Sequence, residues 1–191
     1  MPLLSKPQLS RLSPAVRVSN PAAKSTLQES AARRIKSTAG FDIFLSHRFL
    51  DAPYVLLLRN YLEFLDYSVF VDWIEQPEDE REKVTKRTAA YLRRVMDKSD
   101  SLLFAVSENS VTSSWMPWEL GYFDGSGGRI AIVPITEGRT TSESYRGREY
   151  LGLYPYITMT KNRSGKNILW VNKSASKYVT FEEWMEGIAS V

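Results

Sequence analysis

The chain has no cysteine in its 191 residues. Disulfides and thiolate metal sites are therefore excluded, and the redox state of its compartment leaves no trace in the sequence. A single histidine, His47, argues against a His-rich zinc site and against a catalytic histidine triad. No apolar run approaches the roughly 20 residues needed to span a bilayer. Neither the glycine-rich dinucleotide fingerprint nor the P-loop follows the first apolar strand. Acidic residues are almost missing from positions 1–40. There Glu29 alone stands against Lys6, Arg11, Arg17, Lys24, Arg33, Arg34 and Lys36, a net of +6. The whole chain carries +3, so residues 41–191 sum to −3. The basic character belongs to the first forty residues, and the body has no charge signature of a nucleic-acid binder.

What remains is 43% hydrophobic and 25% charged, the balance of a soluble globular protein with one core and an appendage. Residues 1–40 contain Pro2, Pro7, Pro14 and Pro21, many serines and no sustained apolar period. They read as a largely disordered, partner-contacting tail with a short helix near Lys24–Lys36. Acid-poor, Arg- and Ser-rich N-termini of this kind also occur in organelle transit peptides.

From residue 41 the pattern alternates. Apolar strands at Phe41–Ser46, Ser68–Asp72, Ser101–Val106 and Ile130–Ile135 are separated by helical segments. The first helix is opened by Asp51 and Pro53 and runs to about Leu65, with Leu57, Tyr61, Phe64 and Leu65 facing inward. An acidic loop and a second helix to about Asp97 follow. The third helix is capped by Ser113 or Ser114 and ends near Gly125. Near-continuous apolar strands in β-α-β order predict a parallel sheet covered by helices on both faces. A C-terminal extension from about residue 136 carries a hairpin, Tyr156–Met159 with Ile168–Val171. Its final helix starts from the capping box Thr180/Glu183 and bears Trp184.

The third helix holds the most informative residues. At 100° per residue Trp115, Trp118, Tyr122 and Phe123 gather on one side with Glu119 among them. Burying an unpaired carboxylate costs roughly several kcal/mol. Glu119 therefore has either a structural partner such as an arginine, or a place in a pocket that handles a cation or a sugar. In open parallel sheets ligands bind beyond the carboxyl ends of the strands, at the switch in strand order. The first strand delivers Ser46, His47 and Arg48 there, the second Asp72 and Trp73, the third Ser107 and then the aromatic helix. In the common 2-1-3-4 order, Ser46–Arg48 and the start of that helix face the same ligand. Gly125–Gly128 is a weak candidate for phosphate contact; such a run more often simply connects helix to strand.

These residues resemble a TIR domain, the Toll/interleukin-1 receptor fold, in its bacterial NAD-cleaving anti-phage (Thoeris-like) type. Phe41-Asp42-Ile43-Phe44-Leu45-Ser46-His47 with Asp51 resembles the first-strand box. Val69-Phe70-Val71-Asp72 resembles the second strand. Ser99-Asp100, Leu102–Ser107, Ser113/Ser114-Trp115 and Glu119-Leu120 resemble the third-strand and helix-C box. The resemblance covers about residues 41–135. It implies a flavodoxin-like α/β fold of three layers, and Glu119 as the carboxylate that cleaves the nicotinamide–ribose bond of NAD+. Trp115 contacts the nucleotide, with Ser46, His47, Arg48, Asp72 and Trp73 around it. NAD+ is then substrate rather than cofactor, with no metal. The product is ADP-ribose or a cyclic ADP-ribose isomer, which suits a short chain whose product activates a separate effector protein. The resemblance further implies self-association through TIR–TIR contacts and a cytoplasmic place, without nucleic acid or membrane.

Two features depart from the family pattern. The loop Trp73–Glu82 has Pro77 but no glycine and is strongly acidic, and the hairpin at 156–171 is unusual for a minimal TIR domain. Two other readings compete. A non-catalytic adaptor would work through TIR–TIR contacts alone. A flavodoxin-like nucleoside enzyme of the deoxyribosyltransferase type would also use a pocket glutamate.

Overall fold

The computed structural model describes residues 2–12, 40–48, 51–71, 86–107, 115–138, 145, 149–188 and 191. Asp72, Trp73, the acidic loop, Ser113, Ser114 and the helix expected over 24–36 lie outside the described residues. The elements in chain order are β1 (Leu4–Ser5), α1 (Lys6–Leu12), β2 (Phe41–Ser46), α2 (Ala52–Phe64), β3 (Val69–Phe70), α3 (Lys86–Met96) and β4 (Ser99–Val106). They continue with α4 (Trp115–Gly125), β5 (Arg129–Thr136), a 3-10 turn (Glu149–Leu153), β6 (Tyr156–Lys161), β7 (Asn167–Asn172), β8 (Tyr178–Thr180) and α5 (Phe181–Met185).

One sheet runs β3-β2-β4-β5-β6-β7-β8, with β1 against β5. The pairs from β3 through β6 are parallel, and β6-β7-β8 close antiparallel. The first four parallel strands therefore take the 2-1-3-4 order, and the switch lies between β2 and β4. Side chains alternate along each strand. Ile43, Leu45, Leu103, Ala105, Ala131 and Val133 face the layer of α1, α2 and α5. Phe44, Leu102, Phe104, Ile130 and Ile132 face the layer of α3 and α4. Both sheet faces are covered, so the central strands need no polar side, which is why they read as apolar runs.

Two expectations change. Residues 2–12 belong to the body and not to a tail: Leu3, Leu4 and Leu9 are buried. β5 and β6 pair only at Ile132↔Tyr156. Past that point β1 lies between them, with Leu4↔Ile135 and Ser5↔Thr136 on one side and a bridge Leu3↔Thr158 on the other. A strand of two residues has no period to detect, so prolines and serines dominated the reading. Second, Phe64 points outward at 78% exposure. Helix α2 buries the stripe Val55, Leu58 and Leu62, and Phe64 lies two residues, about 200°, beyond Leu62.

Gly125–Gly128 takes the more common of its two readings and joins the end of α4 to the start of β5, at the amino edge of the sheet and away from the switch-point ends of the strands. Gly127 has φ +74, and a Cβ on Gly128 would stand 2.1 Å from the Phe123 ring. The run is a connector fixed by backbone shape and by the closeness of that ring.

Candidate active site

The carboxyl ends of β2 and β4 frame the site. Ser46 is the last residue of β2 and continues the row of Phe44 toward α4. Its hydroxyl donates to Glu119 Oε2 at 2.6 Å. Ser46 is 0% exposed and Glu119 is 1% exposed. On the buried stripe of α4, Glu119 sits with Met116, Leu120 and Phe123, at the spacing i, i+3, i+4, i+7. A carboxylate at such a position is tolerated when a charge-assisted hydrogen bond replaces part of its hydration. The serine at the end of an apolar row supplies that bond, and it joins two residues 73 positions apart.

The aromatic residues around Glu119 divide, with Phe123 in the core as expected. Trp118 and Tyr122 flank the buried stripe and turn toward α3. Their rings stack at 5.9 Å and 27°, and the Arg93 guanidinium lies 5.5 Å from Trp118 and 6.0 Å from Tyr122. The Tyr122 hydroxyl donates to Asp97 at 2.8 Å, and that bond raises its pKa, with burial adding to it. Phe123 is in the core. Trp115 is half-buried at the first position of α4, edge-on to Trp118 at 5.3 Å.

Of the other expected residues, His47 is buried just past β2. Arg48 is half-buried, and its carbonyl accepts from the Asp51 N–H at 2.9 Å. Asp72 and Trp73 fall outside the described residues. The structure thus brings Ser46 and Glu119 together, with His47 and Arg48 adjacent in sequence. It also adds a pair that sequence reasoning did not join: the Ser107 hydroxyl donates to the buried Asp51 carboxylate. Asp51 was legible as a helix opener and box residue and Ser107 as a strand end at the same edge, but the bond between them was not. No cluster of three or more histidines, aspartates or glutamates among the described residues could hold a metal ion.

The switch point thus carries a glutamate of the third-strand helix bonded to the end of the first strand. The TIR domain family model matches residues 43–168. This chain belongs to the TIR domain family. It is 49% identical over 168 residues, covering 87% of this chain and 86% of the other, to a Bacillus cereus (strain MSX-D12) protein named "Probable 3' cyclic ADP-D-ribose synthase ThsB'". It is 25% identical over 112 residues, 58% of this chain and 30% of the other, to a Cytobacillus dafuensis protein named "Putative cyclic ADP-D-ribose synthase TIR2". No helix among the described residues of this TIR protein is long and apolar enough to cross a membrane.

Proposed function

We propose that this TIR protein cleaves the nicotinamide–ribose bond of NAD+ and releases a cyclic ADP-ribose isomer as an immune signal in anti-phage defence. The observation that carries the site assignment is the Glu119 carboxylate, held by Ser46 beside the switch point. The names of the relatives support the reaction, and the 49% identity to a 3′ cyclic ADP-ribose synthase favours that isomer over linear ADP-ribose.

The chemistry suits one carboxylate. Departure of nicotinamide leaves a ribose short of electrons at its anomeric carbon, and a fixed carboxylate stabilises that oxocarbenium-like charge. Nicotinamide carries its positive charge in NAD+ and leaves neutral, so no general acid has to protonate it. Ser46 sets the orientation of Glu119 before substrate arrives, so little reorganisation is needed in the transition state. In this reading Trp115 lies against the nucleotide and keeps water from the ribose. An internal nucleophile of the ADP-ribosyl group then captures the cation, giving cyclisation instead of hydrolysis. His47 and Arg48, with Asp72 and Trp73, line the remaining pocket, Arg48 toward the phosphates. Self-association through TIR–TIR contacts, a cytoplasmic place and a separate effector that reads the product complete the proposal.

Incubation with NAD+ and mass analysis of the products tests it. Expected are free nicotinamide and a product one water lighter than ADP-ribose. Glu119→Gln is expected to lower nicotinamide release about 100-fold or more, while the melting temperature does not fall. Absence of nicotinamide release from concentrated wild-type protein would sink the enzyme reading.

A further inference from the structure

The carboxyl edge of the sheet holds a second buried carboxylate that the reaction above does not use. Asp51 is 1% exposed and directly precedes α2. Aspartate is favoured there because its side chain accepts from the first N–H groups of the helix, a cap worth about 1 kcal/mol. Asp51 makes no such bond. Its carboxylate is turned instead to the hydroxyl of Ser107, the residue after β4. Diverting it forgoes the cap and desolvates both groups, so the bond across the sheet edge calls for a role of its own.

Asp51 also reaches two other parts of that edge. Its backbone N–H donates to the Arg48 carbonyl just past β2. The Lys6 ammonium of α1, paired with Glu137 and 4.8 Å from the centre of the Tyr54 ring, lies near enough to interact with the Asp51 charge. One residue therefore joins the end of β2 to the end of β4, with the Lys6 charge of the N-terminal segment nearby. By strand alternation Ser107 follows Leu103 and Ala105 on the α2 face, whereas Ser46 follows Phe44 on the α4 face. Two hydroxyl–carboxylate pairs, Ser46–Glu119 and Ser107–Asp51, bracket the switch point from opposite faces.

We propose that Asp51 is a positioning residue of the NAD+ site, holding Ser107 and the backbone at Arg48 at the separation the dinucleotide requires, so that the pair sets substrate affinity and leaves bond cleavage to Glu119. This rests on the NAD+ reading above and adds two residues to its site.

The test compares steady-state nicotinamide release and thermal unfolding for wild type, Asp51→Ala, Ser107→Ala and Ser107→Thr. NAD+ binding is measured by calorimetry in the Glu119→Gln background. Asp51→Ala and Ser107→Ala are expected to raise KM for NAD+ about tenfold, the effect of one hydrogen bond to a charged group. The value of kcat is expected to stay within about threefold of wild type. Calorimetric affinity falls in parallel, and Ser107→Thr, which keeps the hydroxyl, restores KM. If Asp51→Ala does not fold, Ser107→Ala removes a single oxygen and carries the same test. Unchanged KM and affinity, with kcat falling only as the folded fraction falls, would reduce the pair to a structural clasp and overturn the inference. In that outcome wild type still turns over NAD+ and the enzyme reading stands. Wild-type protein that neither binds nor cleaves NAD+ overturns both.

Discussion

Replacing Ser46 with alanine leaves the Glu119 carboxylate buried and removes the hydroxyl 2.6 Å from it. The loss of that bond is expected to cost about 2 kcal/mol of stability, because the remaining acceptor stays out of water. It is also expected to lower kcat more than it raises KM, since the bond orients a group that acts in the transition state. Denaturant unfolding and steady-state kinetics on Ser46→Ala check both. Glu119 and Ser46 were legible singly in the sequence, the first as a charge out of place and the second as a strand end at a switch point. Their bond was not, because it depends on which way two side chains turn. The same limit explains Trp118 and Tyr122. A period of 3.6 locates a helix flank but does not distinguish a core flank from a shelf occupied by the Arg93 guanidinium. Asp51 was hidden more deeply, since its sequence context announces a helix cap that its carboxylate does not make.

Among the elements, α5 was read most directly. Its capping box is a local signal, and both reciprocal bonds of Thr180 and Glu183 form. Thr180→Ala is expected to cost about 1 kcal/mol in a denaturation experiment. The Glu183 carboxyl is held below its ordinary value, chiefly by the Thr180 hydroxyl and then by a backbone N–H. A depressed folded-state pKa means that this contribution is present above the ordinary glutamate value and is lost as pH falls through the folded-state value. The destabilisation by Thr180→Ala is accordingly expected to shrink in acid, measured as the difference between the two unfolding curves at neutral and at low pH. The hairpin of β6 and β7 was likewise legible, because Gly165 takes a positive φ of 81 in its turn. The strands β1 and β8, with two and three residues, were not. Pairing partners more than a hundred residues away place β1, and no local pattern records them.

At the scale of the whole molecule, the N-terminal segment is the part that composition hid. Leu9 of α1 is fully buried in the core shared with α2 and the sheet. Leu9→Ala is expected to cost about 2–5 kcal/mol, a core truncation rather than the near-zero effect of a change in a tail, and chemical denaturation decides between them. The overall architecture was readable because it follows from repeated strands and crossovers, which leave a strong pattern. The seat of β1 was not, because it exists only where β5 and β6 separate. That geometry has a consequence for synthesis on the ribosome. Leu3 and Leu4 are made before their partners Ile135 and Thr158, which follow more than a hundred residues later. At ordinary translation rates that interval is roughly ten to thirty seconds. Strand β1 can seat only after both of its partners have been made, so the step that closes the sheet belongs to a segment made well before them.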